Sequence, residues 1–291
     1  MFSIIVPSFN RAAEIPKLLD NLNQQTIKNF EVIIVDDCSI EAVKIPGVFN
    51  FPITVVRNEI NQGAAQSRNI GAAQARNDWL IFLDDDDRFL ADKCEILTNV
   101  ISENKTVNFI YHPAQCEMVN EKFSYFTKPF SDIANLTLNN LLRANKIGGM
   151  PMIALKKSLF WEVNGLSTQL RSLEDYEFLL KLIQHNEFSP FFIDKPLTIC
   201  HFFTQRKSVS TDTTNTQKAI DYISNHYVTN QYQQLSFNQN AQTMLAYPYL
   251  MNLSRKAAYY YFKLFKMNKN IKNLIIAMII FISPKWAIQL K

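Results

Sequence analysis

Four short apolar runs in the first hundred residues constrain the fold of this chain more than any other feature. The runs are SIIV, VIIV, ITVV and WLIFL, at residues 3–6, 32–35, 53–56 and 79–83. Their brevity and their β-branched content are typical of strands that are buried on both faces. Because helical patterns lie between them, they predict βαβ units and a mostly parallel sheet. The predicted fold class is α/β.

Helical spacing occurs between the runs. The i, i+3, i+4, i+7 positions of an amphipathic helix are occupied by Ile15, Leu18, Leu19 and Leu22. The segment at 63–76 indicates a second helix, whose small residues can pack closely on a sheet. We expect shorter strands at 107–130, helices around a GGMPM loop (148–152) within 135–186, and helices from Thr213 onward.

Aspartates directly follow the second and fourth runs. VIIV ends at Asp36 and Asp37, and WLIFL continues into Asp84, Asp85, Asp86 and Asp87. Ligands of open α/β sheets bind at the carboxyl ends of the strands, where both clusters fall. Adjacent carboxylates need a cation nearby, and oxygen ligands suit Mg²⁺ or Mn²⁺ bound to a diphosphate. An acidic turn that caps the next helix near Ala91 is the open alternative.

Composition limits the class of protein. The 291 residues suffice for one large domain or two small ones, and 47% hydrophobic with 19% charged residues excludes a disordered chain. Four dispersed cysteines favour neither a zinc knuckle nor a disulfide framework, so a reducing compartment is the default. The first apolar residues stop at Pro7, and we therefore expect no secretory signal and a cytoplasmic protein.

The charges are divided unevenly along the chain. No Asp or Glu follows Asp221, and residues 1–221 hold all 26 acids but 22 of the 30 cations. The longest apolar run, 274–282, has half of the roughly 18–20 residues that cross a bilayer. Aromatic residues and lysines around it predict a helix on the inner face of the cell membrane. A dimer interface or a helix packed on the protein is the open alternative, and no nucleic-acid motif is present.

Five segments in one order resemble glycosyltransferase family 2, the inverting enzymes of the GT-A fold. They are VPSFNR (6–11), VIIVDDCS (32–39), NQGAAQSRNIGAAQA (61–75), WLIFLDDDD (79–87) and LFWEVNGLSTQLRSLEDYEFLLKL (159–182). The resemblance implies a Rossmann-like, mostly parallel sheet flanked by helices, with a helical C-terminal extension. It implies a catalytic domain at 1–210, with a nucleotide-sugar half at 1–105 and an acceptor half at 106–210, before a helical region at 211–291.

The resemblance implies a set of residues that bind the donor. Phe9 would stack on the nucleobase, with Pro7 shaping the loop beside it. Asp37 would accept a hydrogen bond from the uracil N3–H. Arg68 would face the donor phosphates or the aspartates, and Gly63 would allow the backbone to approach closely. The open alternatives are a turn cap with Ser39 for Asp36 and Asp37, and a surface helix cation for Arg68.

The resemblance also implies a metal, Mn²⁺ or Mg²⁺, at the family's DxD motif. Asp86 matches the direct metal ligand, Asp84 lies nearer the ribose or a metal-bound water, and Asp85 occupies the variable position in contact with the donor. His201 is a third candidate metal ligand. The sequence HFFTQRKSVS around it departs from the family's Arg-x-His pattern. A His packed in the core is the open alternative for His201. Arg206 and Lys207 lie in the same departing segment.

An inverting transfer needs a base that takes the proton of the acceptor hydroxyl. Glu174 and Asp175 begin a predicted helix and resemble the family's ED pair. In that pair Asp175 is the base and Glu174 orients the acceptor or a nearby loop. Read without the resemblance, the two acids would be partners of a helix dipole.

These features predict a metal-dependent inverting hexosyltransferase that moves one sugar from a nucleotide donor, a UDP-sugar, to a glycan or lipid-linked acceptor. The predicted pathway is the synthesis of a bacterial surface polysaccharide, which is a capsule, a lipopolysaccharide or an O-antigen. Two alternatives stay open. One is a sugar-1-phosphate nucleotidyltransferase, whose Gly-rich loop is missing at 7–12, and the other is a non-catalytic glycan-binding or scaffold protein. A homodimer is compatible with each.

Overall fold

The computed structural model describes residues 1–206 and 212–289. Its strands are β1 (Phe2–Ser8), β2 (Phe30–Asp36), β3 (Ile53–Arg57), β4 (Trp79–Phe82), β5 (Arg88–Phe89), β6 (Phe109–Tyr111), β7 (Ala114–Met118), β8 (Phe123–Phe126), β9 (Ile153–Lys156), β10 (Pro190–Phe192) and β11 (Thr198–Phe202). Its helices are α1 (Ile15–Asn23), α2 (Ala64–Gln74), α3 (Lys93–Glu103), α4 (Leu138–Arg143), α5 (Lys157–Glu162), α6 (Glu174–Leu182), α7 (Thr213–Tyr227), α8 (Gln231–Met251), α9 (Ala257–Asn268), α10 (Ile271–Ile282) and α11 (Pro284–Gln289).

The larger sheet has seven strands in the order β10-β6-β9-β4-β1-β2-β3. Strands β3, β2, β1 and β4 pair in parallel, and β9 runs antiparallel between β4 and β6. The four apolar runs of the sequence are therefore the four adjacent strands at one end of this sheet. The predicted α/β class and mostly parallel sheet are confirmed.

Strand β9 is a feature that the sequence did not predict. The prediction for 135–186 has helices around a loop, and it misses the strand because IALK is too short to show a strand or a helix period. Residues Met150–Met152 of the expected loop form a single 3-10 turn that leads directly into β9. The GGMPM segment is consequently held at the end of the sheet where β9 begins.

The central strands are buried because each carries apolar residues on both faces. Ile5 of β1 belongs to the core that also contains residues of α2 and α6, whereas Ile4 belongs to the core that contains residues of α1 and α3. Helix α2 lies directly on β1, since a Cβ built at Gly71 would be 2.4 Å from Ile5 Cγ2. The small residues of α2 thus do what the sequence predicts for them.

The smaller sheet has the order β5-β11-β7-β8. Strand β5 begins directly after the four aspartates and pairs with β11, so that Thr198 lies opposite Phe89. Strand β11 also pairs in parallel with β7. The smaller sheet therefore fixes the segment around His201 next to the aspartates.

The described C-terminal residues are helical, as predicted, and one side of these helices packs on the smaller sheet. A separate apolar core joins Met118 of β7 to Ala257, Ile280 and Ile288. The packing alternative is therefore correct for this inner side. The boundary expected at 210 lies outside the described residues. No helix in the described ranges has the length and hydropathy that crossing a membrane requires.

Candidate active site

The loops that follow β1 and β2 are joined to each other by hydrogen bonds. The backbone N–H of Asp37 donates to the carbonyl of Ser8 at 2.8 Å, and that of Asn10 donates to Ser39 Oγ at 2.8 Å. The side chain of Phe9 protrudes between them and is 46% exposed. Pro7 is half-buried and lies opposite Val35 of β2. An exposed aromatic ring thus stands beside two strand ends, as stacking on a base requires.

The carboxylate of Asp37 holds the start of α2. Its Oδ1 accepts from Asn58 Nδ2 and from the backbone N–H of Gln62, each at 2.8 Å, and its Oδ2 accepts from the N–H of Gly63 at 2.7 Å. Gly63 has a φ of 88°, which favours glycine, and precedes α2 directly. Asp37 therefore holds the start of α2, which differs from the turn cap with Ser39 that was its structural alternative.

The neighbouring Asp36 is buried and does not face the site. It accepts from the N–H groups of Ser39 and Val43 and from Arg57 Nη1. Burial raises the pKa of Asp36, but these hydrogen bonds and the charge of Arg57 outweigh burial and lower it overall. Asp36 is the turn-stabilising carboxylate of this pair.

Asp85 and Asp86 share the guanidinium of Arg11. Arg11 Nη1 lies 2.8 Å from Asp85 Oδ1 and 2.5 Å from Asp86 Oδ2. Asp85 also accepts from Ser8 Oγ at 2.9 Å and is buried. Burial raises the pKa of Asp85 to about 6, with Asp86 acting in the same direction against Arg11. The side chain of Asp85 therefore fastens the aspartate loop to β1.

Arg68 connects the aspartates to the ED pair. Its Nη2 lies 2.7 Å from Asp84 Oδ1 and its Nη1 lies 3.0 Å from Glu174 Oε1. The guanidinium is buried, and the two carboxylates raise its pKa in spite of burial. Asp84 and Glu174 are 90 residues apart in the sequence, and this one cation brings them into the same site.

Asp175 lies in the first turn of α6, beside this bridge. Leu173 has a left-handed φ of 57° and turns the chain into the helix. Burial and the charge of Glu174 raise the pKa of Asp175 to about 7, although Arg68 and the N–H of Tyr176 act against them. A Cβ built at Gly149 would lie 3.4 Å from Asp175 Oδ2, so the GGMPM loop borders this carboxylate.

His201 contacts the aspartate loop through both its backbone and its ring. Its N–H donates to Asp87 Oδ1 at 2.9 Å, and its Nδ1 lies 2.7 Å from the carbonyl of Asp86. Because a carbonyl only accepts, Nδ1 carries the hydrogen of this contact, and Nε2 lies 3.6 Å from Glu117 Oε2. His201 is half-buried, so the alternative of a packed core residue is wrong for it.

The remaining aspartate is structural. Asp87 is buried, and burial together with Asp84 and Asp86 raises its pKa well above the usual range. Helix α3 begins at Lys93 after Asp92, so the four aspartates do not cap it.

Arg206 Nη1 lies 3.5 Å from Asp86 Oδ2, and Lys207 lies outside the described residues.

The donor set fits a divalent cation that also binds a substrate. Within residues 1–206 and 212–289, no three His, Cys, Asp or Glu side chains converge as a site made by the protein alone. The side chains of Asp84, Asp86 and His201 are 36%, 20% and 23% exposed, so all three can contact a bound ligand. Mg²⁺ and Mn²⁺ typically take one or two carboxylates and complete their coordination with water and phosphate oxygens.

A family model matches more than half of the chain. The match is to Glycosyl transferase family 2 and covers residues 3–163. A protein of Haemophilus influenzae, described as an uncharacterized glycosyltransferase, is 61% identical over 291 residues, which is 100% of this chain and 99% of that protein. The chain belongs to glycosyltransferase family 2. The resemblance inferred from the five segments is confirmed, and so is the enzyme class.

Other similar proteins agree with the family. The Escherichia coli protein named UDP-Glc:alpha-D-GlcNAc-diphosphoundecaprenol beta-1,3-glucosyltransferase WfgD is 29% identical over 192 residues, covering 65% of this chain and 72% of that protein. An Erwinia amylovora glycosyltransferase named for amylovoran biosynthesis is 39% identical over 100 residues, about a third of each chain. The family 2 relatives thus include enzymes of polysaccharide biosynthesis.

Two solved structures share the fold. TarS of S. aureus in complex with UDP-GlcNAc has a TM-score of 0.58 at 18% identity, over 95% of this chain and 90% of that one. The mannosyltransferase PcManGT of Pyrobaculum calidifontis, in complex with GDP-Man and Mn²⁺, has a TM-score of 0.57 at 14% identity, over 100% and 86%. The GT-A fold is confirmed, and a fold neighbour of this family 2 enzyme holds a divalent metal.

The sequence prediction missed three residues of this family 2 site. Arg11 lies in the quoted VPSFNR segment, and its contacts with Asp85 and Asp86 give it a function. Gly149 borders Asp175, and Arg171 lies over Gly63, where a Cβ would be 2.5 Å from its Nη1. An arginine after a strand end was a visible signal for Arg11, whereas the other two depend on contacts between distant loops.

Proposed function

We propose that this glycosyltransferase moves one sugar from a UDP-sugar to a glycan or lipid-linked acceptor, with inversion and with a divalent metal. The bridge that Arg68 makes between Asp84 and Glu174 carries the proposal. It puts the carboxylates suited to a metal diphosphate beside the carboxylate suited to general base catalysis. An inverting displacement requires both groups at one sugar.

The donor would lie across the ends of β1, β2 and β4. Phe9 would stack on the base beside Pro7, and Asp37 would accept from the base while it holds the start of α2. Asp85 would fix the floor of this site through Ser8 and Arg11. Arg68 would contribute a buried positive charge next to the phosphates.

Asp86, Asp84 and His201 Nε2 would hold the Mn²⁺ or Mg²⁺. When bound, the metal acts as a Lewis acid that stabilises the negative charge of the departing diphosphate. The chain contributes to this site by fixing the two carboxylates, since Arg11 and Arg68 contact them and His201 Nδ1 donates to the Asp86 carbonyl. The preference between the two metals is measured by the transfer rate with each.

Asp175 would take the proton of the acceptor hydroxyl. A base is most effective when its pKa lies near the working pH, and burial gives Asp175 a pKa of about 7. Glu174 would act as a positioning residue, because its carboxylate is paired with Arg68 and adjoins Asp175. The GGMPM loop would then form one wall of the acceptor site.

The C-terminal helices would place the enzyme on the inner face of a bacterial cell membrane, where lipid-linked acceptors of surface polysaccharide synthesis are found. Their outer side exposes large apolar residues among lysines, and such a surface binds anionic membranes. The E. coli relative is named for a diphosphoundecaprenol-linked sugar. A homodimer through this side is the competing arrangement, which sedimentation measures.

The direct test is UDP release from a panel of UDP-sugars and a GDP-sugar, with Mn²⁺, with Mg²⁺ and with chelator. We expect release with one UDP-sugar, dependence on metal, and stimulation by a polyprenyl diphosphate sugar. Release that is unaffected by chelator contradicts the metal. Binding without release across the panel and acceptors contradicts catalysis and favours a scaffold.

A further inference from the structure

Helices α9 and α10 enclose an apolar groove that the transfer chemistry does not use. The groove has a volume of about 560 Å³ and its lining includes Arg255, Tyr259, Phe262, Met278, Phe281 and Ile282. Helix α10 buries Ala277 and Ile280 against the protein and turns other apolar residues outward. Met278 is 57% exposed. A hydrocarbon chain that lies in the groove would cover these side chains.

A polar cleft is lined by residues that are close in the sequence to those of the groove. It has a volume of about 520 Å³ and its lining includes Asn120, Glu121, Lys122, Gln205, Leu253 and Lys285. Leu253 in the cleft is two residues from Arg255 in the groove, and Lys285 is three residues from Ile282. The loop before α9 and the junction between α10 and α11 therefore each contribute residues to both cavities.

The cleft is also lined by the loop that follows β11, and this loop lies close to the aspartates. Gln205 is followed by Arg206, which lies 3.5 Å from Asp86. The N–H of Gln205 donates to the carbonyl of Met251 at 2.8 Å and ties this loop to the end of α8. Adjacent residues thus connect the catalytic aspartates, the cleft and the groove.

The cleft can recognise both a phosphate and hydroxyl groups. Lys122 and Lys285 line it, and Arg255 lines the groove. Glu121 Oε1 accepts from Thr204 Oγ1 at 2.7 Å, and its Oε2 is buried without a hydrogen-bond partner in the described parts of the chain. Because Glu121 lines the cleft, a turn of its carboxylate would let Oε2 accept a hydrogen bond from a sugar hydroxyl and satisfy this atom.

We propose that the cleft and the groove bind the lipid phosphate that carries the acceptor glycan. Its hydrocarbon chain lies in the groove, its phosphate contacts Arg255, Lys122 and Lys285, and its glycan extends past Arg206 to Asp175. This inference rests on the proposed transferase function. It assigns the acceptor a site on this chain.

Charge favours a lipid phosphate over a second copy of the chain. A symmetric dimer places the same patch on both sides of its interface. Because no acid follows Asp221, such a dimer would bring the cations of α9 to α11 together without carboxylates from the same helices. A lipid phosphate instead supplies an anion together with a hydrocarbon chain.

The test measures binding of monomeric dodecyl phosphate to the full chain, with dodecyl maltoside and inorganic phosphate as the other two probes. We expect dodecyl phosphate to bind about tenfold more tightly than either, because burial of the chain and the cationic contacts both contribute. Equal binding of the maltoside would show an unspecific apolar surface and overturn the proposal. Equal binding of inorganic phosphate would overturn the function of the groove.

Matched variants locate the site. Met278→Glu is compared with Ile271→Glu, since both residues are exposed on α10 and only Met278 is in the groove lining. Arg255→Glu is compared with Lys272→Glu. We expect Met278→Glu and Arg255→Glu to weaken dodecyl phosphate binding about tenfold, and their controls less than twofold. Equal effects within each pair, or a dimer that Met278→Glu dissociates without changing lipid binding, contradict the proposal.

Vesicles separate this lipid from a general anionic surface. Phosphatidylcholine vesicles that contain a polyprenyl phosphate are compared with vesicles of equal charge that contain phosphatidylglycerol. Stronger recruitment by the polyprenyl phosphate supports the site, and equal recruitment contradicts it. UDP release by the Ile271→Glu control distinguishes the two hypotheses: no release rejects the transferase, whereas release with unchanged lipid binding in Met278→Glu rejects the groove.

Discussion

The site at the strand ends and the surface of α9 to α11 differ in whether their charges are paired. Around the strand ends, Arg11, Arg57 and Arg68 each pair with carboxylates that are distant in the sequence. In the described residues beyond Arg206, no salt bridge is formed, and the sequence after Asp221 has no acid to form one. Paired charges fix a geometry, whereas cations of one sign attract an external anion. The difference separates the region where chemistry takes place from the region that binds a partner.

The comparison first predicts that Asp175→Asn causes the largest loss of activity. A positioned general base contributes about 10²–10⁴-fold, so kcat should fall by about that factor. UDP affinity should stay within about twofold, because Asp175 contacts no proposed donor group. Transfer kinetics and UDP titration measure the two quantities. Normal turnover would remove Asp175 from the base role.

Arg68→Ala should cause the largest loss of stability. It leaves Asp84 and Glu174 without their shared cation, and loss of one partner from a buried ion pair costs about 3–5 kcal/mol of the free energy of unfolding. Urea denaturation measures it. Arg76→Ala is the matched control, since Arg76 follows α2 and its side chain is 78% exposed. Similar losses for both variants would contradict the bridge.

The pKa of Asp175 predicts opposite effects of pH on activity and on stability. The base must be ionised, so kcat/KM should rise with pH and level off above about 7. The folded-state pKa is above the unfolded value, so the folded protein binds more protons between the two and loses this contribution as pH rises through 7. Asp175→Asn should therefore be inactive yet more stable than wild type at pH 8. Thermal unfolding at pH 5 and pH 8 checks this, and a destabilised variant at pH 8 speaks against a strained carboxylate.

A smaller effect compares packing in the two regions. Gly71→Ala places a Cβ 2.4 Å from Ile5 Cγ2, and overpacking of this kind costs about 1–3 kcal/mol. Met278→Ser on the outer side of α10 should change the free energy of unfolding by less than about 0.5 kcal/mol. Chemical denaturation of both variants tests the difference. An equal loss in Met278→Ser would show that the outer side is packed in solution.

Much of the fold was predictable because it depends on local patterns. The apolar run WLIFL predicts a buried strand. The acids that directly follow it therefore lie at the edge of the sheet where this strand ends. Strand β9 was missed because four residues carry no period, and its place is decided by pairing with β4 and β6. The C-terminal helices were predicted, but which side of α10 is buried depends on Met118 of a distant strand.

The candidate site was predictable to the level of residue types and less so for individual functions. Asp84 and Asp85 are adjacent and alike in the sequence, yet one is partly exposed and the other is buried against Ser8. Asp36 and Asp37 are both buried but differ in their partners, since Asp36 pairs with Arg57 and Asp37 accepts from the N–H groups that precede α2. Pairing with Arg11, Arg57 and Arg68 decides these differences, and it joins segments that only the folded chain brings together.

The stereochemistry of the product tests the central claim most directly, because Asp175 and the metal diphosphate are proposed to act on opposite faces of one sugar. The measurement is proton NMR of the disaccharide formed from a UDP-α-linked sugar. A β-linked product is the predicted result, since a single displacement inverts the anomeric carbon. An α-linked product would require retention and would contradict the assignment of Asp175 as the base.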